Sequence, residues 1–319
     1  MAPPPPLFQK SVISLDIIIV GAGLAGLAAA IGLCRVGHKV TVHERSTELR
    51  EIGAGIQLPA NSSRILDDLG VLGKIKSYAV QPHDLTIRSY RGQKLYHQEM
   101  GPDIQERFQY PHLVIHRANL RRVLYEEAQT QGAIIHLGSC VSGIDFSAPK
   151  AMFPNGESHS ADLILGADGE HSICRQLLLG QSYAPTTSGD TVYRISVPVS
   201  KIAAEASLAH LVEKPSIHAW YGPRSHAVCY RLLRDGVFNI VLTLPEAKGS
   251  PILGPQAGDL DFVRGACREW NLDFRTLLDL ADGTVKWTLL EAEELNRWVD
   301  PLGRFALLGD SAHATLPYL

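Results

Sequence analysis

Three glycines and one acidic residue near the amino terminus have the types and spacing that suit a phosphate-bearing ligand. Gly21, Gly23 and Gly26 form a G-x-G-x-x-G sequence, and Glu44 follows about 20 residues later. Gly21 permits a tight turn, Gly23 lets the backbone approach a pyrophosphate, and Gly26 allows a helix to pack closely on a strand. A helix start attracts phosphate, and a carboxylate accepts hydrogen bonds from ribose hydroxyls. The pattern predicts a dinucleotide site without distinguishing NAD from FAD.

The segments around these glycines have the pattern of a strand, a helix and a second strand. The apolar run 17–20 predicts a buried parallel strand, and the Ala/Leu-rich segment up to about Val36 predicts a helix that Gly37 ends. Residues 39–43 predict the second strand, which places Glu44 at its end. A glycine-rich turn without a ligand is the alternative, and the complete arrangement favours the nucleotide site.

Two later predicted strands also end in polar turns. The apolar segment 161–165 leads into Ala167-Asp168-Gly169, and 304–308 leads into Gly309-Asp310. Asp168 could accept ribose hydroxyls or ordered water, or cap the following helix. Asp310 could cap a helix or bind a polyol chain. Both turns are candidates for contact with the same ligand.

Two more positions are ambiguous from spacing alone. Gly53-Ala54-Gly55 suggests a backbone that passes close to another group, although a simple loop would have the same composition. Arg117 begins a predicted helix, 117–131, where it is either a solvated charge or a phosphate partner. Spacing alone favours the solvated charge.

The pattern of the chain changes from about residue 188. Short strand-like segments at 192–199, 217–221, 226–233 and 237–244 predict an antiparallel sheet, and 85–97 predicts a β-hairpin. We therefore expect an α/β protein with a Rossmann-like dinucleotide-binding domain and an inserted antiparallel-sheet domain. The expected boundaries are a disordered leader at 1–14, the nucleotide-binding domain at 15–80, 108–187 and 300–319, and the inserted domain at 81–107 and 188–299.

Composition narrows the possible partners and location. The 319 residues have a formal net charge of −3, which gives no reason to expect binding to nucleic acid or to an anionic membrane. No secretory signal pattern is present, and the nucleotide fold explains the apolar stretch 15–33 better than a membrane span does. The five cysteines are scattered, which predicts reduced thiols in a cytoplasmic protein. No metal site is predicted.

The three turns in this order resemble those of FAD-dependent aromatic hydroxylases, the group A flavoprotein monooxygenases, and within them the salicylate-hydroxylase-like branch. The segments EIGAGIQL, HRANL and WYGPRSH are also similar to that branch. The resemblance implies an enzyme that uses NAD(P)H and O₂ to hydroxylate a phenolic or other small aromatic substrate. It also implies a role in secondary metabolism. In this family the reaction proceeds through a flavin C4a-hydroperoxide. A flavin epoxidase or a Baeyer–Villiger-type enzyme is the alternative on the same scaffold.

The resemblance also implies roles for individual residues. Arg117 would bind the cofactor near its phosphates, which replaces the surface interpretation, and Asp168 would serve both FAD and the passing nicotinamide nucleotide. The full set of expected FAD-binding residues is Gly21, Gly23, Gly26, Glu44 at the adenosine ribose, Ala54 and Gly55 beside the flavin, Arg117, Asp168, and Asp310 at the ribityl or pyrophosphate region.

Two residues of the inserted domain occupy positions associated with substrate handling. Arg194 in VYRIS would stabilise a phenolate, and Tyr221 in WYGP would relay its proton. The alternatives are a salt bridge at a strand edge for Arg194 and a half-buried aromatic side chain for Tyr221.

Members of this family usually continue well past the Gly-Asp turn, whereas this sequence ends at Leu319. The resemblance therefore implies a further glycine-rich helix start that would face the flavin. Without it, we expect weaker FAD binding and leakage of peroxide, or a flavin-poor remnant without catalysis.

Overall fold

The computed structural model describes residues 8–49, 55–183, 186–232, 236–245, 252 and 254–317. Ala54, expected beside the flavin, lies outside these residues. The described part of the chain is built around a parallel sheet and a larger mixed sheet.

The strands follow one another along the chain in short segments. They are β1 Asp16–Val20, β2 Lys39–Glu44, β3 Gly55–Leu58, β4 Asp84–Ser89, β5 Lys94–Glu99, β6 Leu113–His116, β7 Ile134–Leu137, β8 Gly143–Asp145, β9 Lys150–Met152, β10 Ser158–Ser160, β11 Leu163–Gly166, β12 Thr186–Pro198, β13 Ser216–Gly222, β14 Ser225–Leu232, β15 Val237–Pro245, β16 Gln256–Ala257, β17 Thr284–Glu291 and β18 Phe305–Leu307.

The helices lie between these strands. They are α1 Leu24–Val36, α2 Ala60–Asp68, α3 Leu72–Lys76, α4 Gly101–Phe108, α5 Arg117–Thr130, α6 Ile173–Leu179, α7 Val199–Ala204, α8 Leu260–Ala266, α9 Leu272–Asp279 and α10 Asp310–His313, and a 3₁₀ turn covers Ala209–Leu211. None of the described helices is long and apolar enough to cross a bilayer.

The parallel sheet has the strand order β18-β11-β1-β2-β7, and all of its neighbours run in the same direction. Its central strand β1 is apolar and buried from Ile17 to Val20, because it is covered on both faces. Val20 pairs with both His43 and Gly166, so β1, β2 and β11 end side by side. This carboxyl edge is where open α/β sheets bind ligands.

The larger sheet has the order β16-β17-β12-β15-β14-β13-β4-β5. Its pairs are antiparallel except β13 with β4, so the predicted antiparallel sheet is confirmed and is extended by one parallel pair. Strand β4 enters from a distant part of the chain, and a long connection permits parallel pairing. One face of the sheet packs Tyr193, Ile195 and Ile240 against α8 and α9.

A short antiparallel ribbon of β3 and β6 leads into α5. Gly55 pairs with His116, the residue before Arg117. Strands β8, β9 and β10 form a third, three-stranded sheet. The ribbon contacts the larger sheet through β14.

Most predicted elements are confirmed with small shifts at their ends. Helix α1 ends at Gly37 with φ of 104°, and the predicted hairpin turns at Gly92 with φ of 90°. The helix predicted over 117–131 ends one residue earlier, at Thr130. Strand β17 had no predicted counterpart.

Candidate functional site

In the turn after β1, a side chain would clash at two of the three glycines and would meet open space at the third. A Cβ on Gly21 would lie 2.3 Å from the carbonyl oxygen of Ala167, and one on Gly26 would lie 2.1 Å from that of Gly21. A Cβ on Gly23 would meet no atom within 4 Å. Gly23 is also the N-cap of α1 and provides no side-chain cap. The helix start therefore faces an open cradle suited to an anion.

The carboxylate of Glu44 at the end of β2 is held by three groups. Its Oε2 accepts a hydrogen bond from Ala22 N at 2.9 Å and pairs with Arg121 Nη2 at 3.2 Å, and its Oε1 accepts from Ser46 N at 2.9 Å. Arg121 Nε also donates to the carbonyl oxygen of Ala22 at 2.8 Å. Glu44 and Arg121 thus hold the backbone of the glycine turn from both sides, and unused lone pairs of Glu44 can still accept hydroxyls.

A cavity of about 310 Å³ joins this turn to the ends of neighbouring strands. Five predicted residues are among those that line it, namely Gly21, Gly23, Glu44, Arg117 and Asp168. Arg121 and His171 line it as well. The cavity therefore brings together residues that are separated by up to 147 positions between Gly21 and Asp168.

His43 forms part of the same cavity wall beside Ser139 and Cys140. Its Nδ1 is 2.8 Å from Ser139 Oγ, and its ring stacks on His136. Burial, with the nearby charges of His136 and His159, lowers the pKa of His43 to about 4. His43 is therefore neutral at physiological pH and forms an uncharged wall of the cavity.

The two later turns are joined through Asp168. Its carboxylate accepts hydrogen bonds from the hydroxyls of Ser172 and Ser311 and from Cys174 N. Arg175, which is buried, donates to the carbonyl oxygens of Asp310 and Ser311 at 3.3 and 3.2 Å. Asp168 thus holds the start of α6 as well as lining the cavity.

Asp310 itself is exposed and is not among the residues that line the cavity. A Cβ on the preceding Gly309 would lie 2.6 Å from the Cβ of Ala25 in the first turn of α1. The Gly-Asp turn is therefore packed against the start of α1, next to the cradle.

Arg194 connects the larger sheet to the β3–β6 ribbon. Its Nη1 donates to the carbonyl oxygen of Gly55 at 3.2 Å, and its guanidinium lies 5.5 Å from the centre of the Trp287 ring. Burial lowers the pKa of Arg194, with a smaller contribution from the charge of Arg117 and an opposing one from Tyr230. Gly55 pairs with His116, the residue before Arg117, so the contact with Gly55 links this side chain to the segment that leads into the cavity wall.

Arg194 belongs to a polar face of the larger sheet. The registers of β12, β14 and β15 put side chains two residues apart on the same side, opposite the α8 and α9 core. We call this the polar face, and its polar members on these three strands are Asp190, Arg194, Ser196, His226, Tyr230, Asn239 and Thr243. Arg194 Nε, Asn239 Nδ2 and Thr243 Oγ1 are buried and have no hydrogen-bond partner among the described residues.

The two tyrosines near this face differ in position. Tyr221, which the resemblance associates with catalysis, is 49% exposed and stacks on His226 with ring centres 5.8 Å apart. Strands β14 and β15 separate it from β12, so the structure does not bring Tyr221 and Arg194 together. Tyr230 is 3% exposed, and burial raises its pKa, opposed in part by the charge of Arg194.

Sequence reasoning missed three residues of this arrangement. Arg121, His226 and Tyr230 lie in or next to segments with family-like sequence, HRANL and WYGPRSH. Because alternate side chains of a strand lie on the same face, the spacing of His226 and Tyr230 in β14 would have predicted that they share one face. Nothing in the spacing points to the pairing of Arg121 with Glu44.

Among the residues that the structure describes, no group of three or more His, Cys, Asp or Glu side chains could hold a metal ion. All five cysteines are free thiols.

The donor set fits an adenine dinucleotide. The open space over Gly23 would accept a pyrophosphate, the free acceptor capacity of Glu44 would accept ribose hydroxyls, and Arg117 supplies a cation on the same wall. A longer cofactor extending past Arg117 would reach Gly55 and the polar face.

Comparisons with known proteins agree with this arrangement. Residues 14–241 match the FAD binding domain family. The chain is 34% identical over 309 residues to the FAD-dependent monooxygenase OpS4 of Beauveria bassiana (strain ARSEF 2860), covering 96% of this chain and 72% of that protein. It is 35% identical over 307 residues to the 3-amino-4-hydroxybenzoate 2-monooxygenase PtnB3 of Streptomyces platensis, covering 95% and 74%.

The fold also matches a solved structure. The crystal structure of CtdE in complex with FAD and substrate 4 superimposes with a TM-score of 0.84 at 22% identity, covering 95% of this chain and 76% of that one. At this identity the likeness is one of fold. The family match over most of the chain and the two relatives give the identity: this chain belongs to the FAD-dependent monooxygenases and is an enzyme with FAD as its cofactor.

Proposed function

We propose that this monooxygenase uses NAD(P)H and O₂ to hydroxylate a phenolic or related small aromatic compound. The observation that carries the proposal is the contact of Arg194 with Gly55, because it sets a polar sheet face beside the nucleotide cavity. The name of the Streptomyces relative, a hydroxybenzoate monooxygenase, supports the substrate class. A cytoplasmic location, where thiols stay reduced and NAD(P)H is available, and a role in secondary metabolism complete the proposal.

The residues of the cavity would hold the cofactor. Gly23 and the start of α1 would bind its pyrophosphate, Glu44 its ribose, and Arg117 its phosphate charge. Asp168 would border the same groove, and Gly55 would pass close to the flavin. Bound FAD, once reduced by NAD(P)H, supplies the activation of O₂.

The polar face would hold the aromatic substrate. Val192, Val228 and Val241 lie on it, and the Trp287 ring lies against Arg194. These side chains give an apolar surface for a planar ring. Arg194, which stays cationic at neutral pH, would stabilise the phenolate form of the substrate and so make its ring richer in electrons.

His226 would accept the phenolic proton. Burial lowers its pKa, with Asp190 acting in the opposite direction, so the imidazole is neutral and basic at neutral pH. Tyr221 stacks on His226 and is half-exposed, so it would border the path by which the proton reaches solvent. In this arrangement His226 would carry the proton, and Tyr221 would shield its path rather than relay it.

The polar face must also exclude water from the activated oxygen. Tyr230, Asn239 and Thr243 are each at most 3% exposed, so the centre of the face is dry. A dry site strengthens the interaction of Arg194 with a phenolate and limits loss of activated oxygen as peroxide.

The test is turnover of a panel of hydroxybenzoates and other phenols by FAD-loaded protein under ¹⁸O₂. We expect substrate-stimulated NAD(P)H oxidation and one labelled hydroxyl on the ring. Label in an epoxide or a lactone would instead identify the enzyme as a flavin epoxidase or a Baeyer–Villiger-type enzyme. Failure of every phenol to stimulate NAD(P)H oxidation in protein with stoichiometric FAD would overturn the proposal.

A further inference from the structure

Gly55 is a residue of the β3–β6 ribbon whose backbone is hydrogen-bonded by side chains of the larger sheet. Its N–H donates to Asn239 Oδ1 at 3.3 Å, and its carbonyl oxygen accepts from Arg194 Nη1 at 3.2 Å. The two side chains come from the adjacent strands β15 and β12. Both backbone polar groups of one ribbon residue are thus bound by side chains of the larger sheet.

A third side chain of the larger sheet, that of Tyr230 in β14, packs against Gly55. A Cβ on Gly55 would lie 2.5 Å from both Cε2 and the hydroxyl oxygen of Tyr230. Real Cβ atoms essentially never approach so closely, so a side chain at position 55 would force the Tyr230 ring to move. Because glycine has no side chain that could anchor it, the position of Gly55 depends on the side chains that contact its backbone.

Asn239 carries an unusual cost at this place. It is 2% exposed, and its Nδ2 has no hydrogen-bond partner within the described ranges. A buried donor without a partner is destabilising, and a leucine of similar size would avoid that cost. The carboxamide oxygen, in contrast, is used on Gly55.

We infer that Asn239 is a positioning residue that, by holding Gly55 N–H, fixes the ribbon and the polar face relative to each other. Gly55 pairs with His116, and Arg117 follows directly and lines the nucleotide cavity. A displaced ribbon would therefore move the cavity wall away from Arg194. The inference rests on the proposed function for its catalytic consequence. The hydrogen bond between Gly55 and Asn239 can be tested without turnover.

The first experiment measures hydrogen exchange of the Gly55 amide in the full chain without added FAD. Asn239→Leu removes the acceptor, and we expect Gly55 to exchange at least about tenfold faster. Asn239→Asp keeps an acceptor oxygen and should exchange as the parent does. Thr243→Val is the matched control, because it removes a buried hydroxyl without a described partner from the same strand and face, and it should leave Gly55 unchanged.

Urea unfolding of each variant shows whether a change at Gly55 is local. Unchanged Gly55 exchange in a folded Asn239→Leu protein would overturn the inference. If Asn239→Leu fails to fold, the decision falls to Asn239→Asp: protection at Gly55 equal to that of the parent supports the inference, and loss of protection contradicts it.

The second experiment measures coupling in FAD-loaded protein, as the fraction of oxidised NAD(P)H that appears as H₂O₂. Asn239→Leu should raise this fraction severalfold over the parent. Asn239→Asp should restore coupling. If Asn239→Asp protects Gly55 yet leaks peroxide as Asn239→Leu does, Nδ2 acts directly on a ligand and the positioning role is wrong. If the parent itself oxidises no NAD(P)H, the proposed function fails and the exchange result stands alone.

Discussion

Replacement of Arg121 by methionine tests how the glycine turn is held. Arg121 donates to Ala22 O at 2.8 Å and pairs with Glu44 at 3.2 Å, and the paired side chains are only 9% and 11% exposed. Removing one partner of a buried ion pair costs about 3–5 kcal/mol. Glu44 keeps its hydrogen bonds from Ala22 N and Ser46 N, so we expect a lower cost, about 2–4 kcal/mol.

The assay is urea unfolding of the FAD-free chain, followed by a titration with FAD. Arg121→Met should lower the free energy of unfolding by that amount and weaken FAD binding about tenfold, equivalent to about 1.4 kcal/mol, because Glu44 is no longer held for the ribose. Arg122→Met is the matched control, since Arg122 is the next residue of α5, is 48% exposed, and pairs with Glu126 only at 3.9 Å. It should change stability by less than about 0.5 kcal/mol.

A double-mutant cycle with Glu44→Gln separates the ion pair from the rest of the Arg121 contacts. We expect a coupling free energy of about 1–3 kcal/mol between Arg121 and Glu44. If Arg121→Met and Arg122→Met are equally mild, or if the cycle is additive, the claim that this pair holds the glycine turn is refuted.

Three further predictions concern the turn, pH stability and proton transfer. Gly26→Ala should lower the free energy of unfolding by several kcal/mol, since its Cβ would meet a backbone oxygen at 2.1 Å, whereas Gly23→Ala should change unfolding by less than about 1 kcal/mol but weaken FAD binding in a titration. Burial lowers the pKa of His218 to about 4 from 6.5, so its stabilising contribution is complete above pH 6.5 and is lost as the pH falls toward 4. Urea unfolding should show a loss of about 2 kcal/mol at pH 5 from this group, and His218→Gln should lack that part of the slope; an unchanged slope would contradict it. His226→Asn should lower kcat/KM for hydroxylation about 100-fold and remove the acidic limb of its pH profile, while Tyr221→Phe should cost no more than about threefold; the reverse ranking would refute the proton path.

The nucleotide-binding half was largely predictable because its signals are local. Buried parallel strands read as apolar runs, and Gly26 is required by its contact with the backbone of Gly21 in the same turn. The order of strands at the carboxyl edge follows from the topology of such sheets. The residues that end those strands, such as Glu44 and Asp168, were therefore recognisable as neighbours.

The missed residues depend on contacts between distant parts of the chain. Arg121 meets Glu44 across 77 positions and Ala22 across 99, and no periodicity encodes such a pairing. On the larger sheet, alternation predicts which side chains share a face within one strand but not which strands are neighbours. The resemblance gave Tyr221 and Arg194 roles on the same substrate, although two strands lie between theirs.

The most direct test of the account is a crystal structure of this chain with FAD. We predict the adenosine ribose on Glu44, the pyrophosphate over Gly23, and the isoalloxazine beside Gly55, next to Arg194 and the polar face. FAD bound elsewhere, or with its ring pointing away from the larger sheet, would contradict the claim that the cavity and the polar face form one active site.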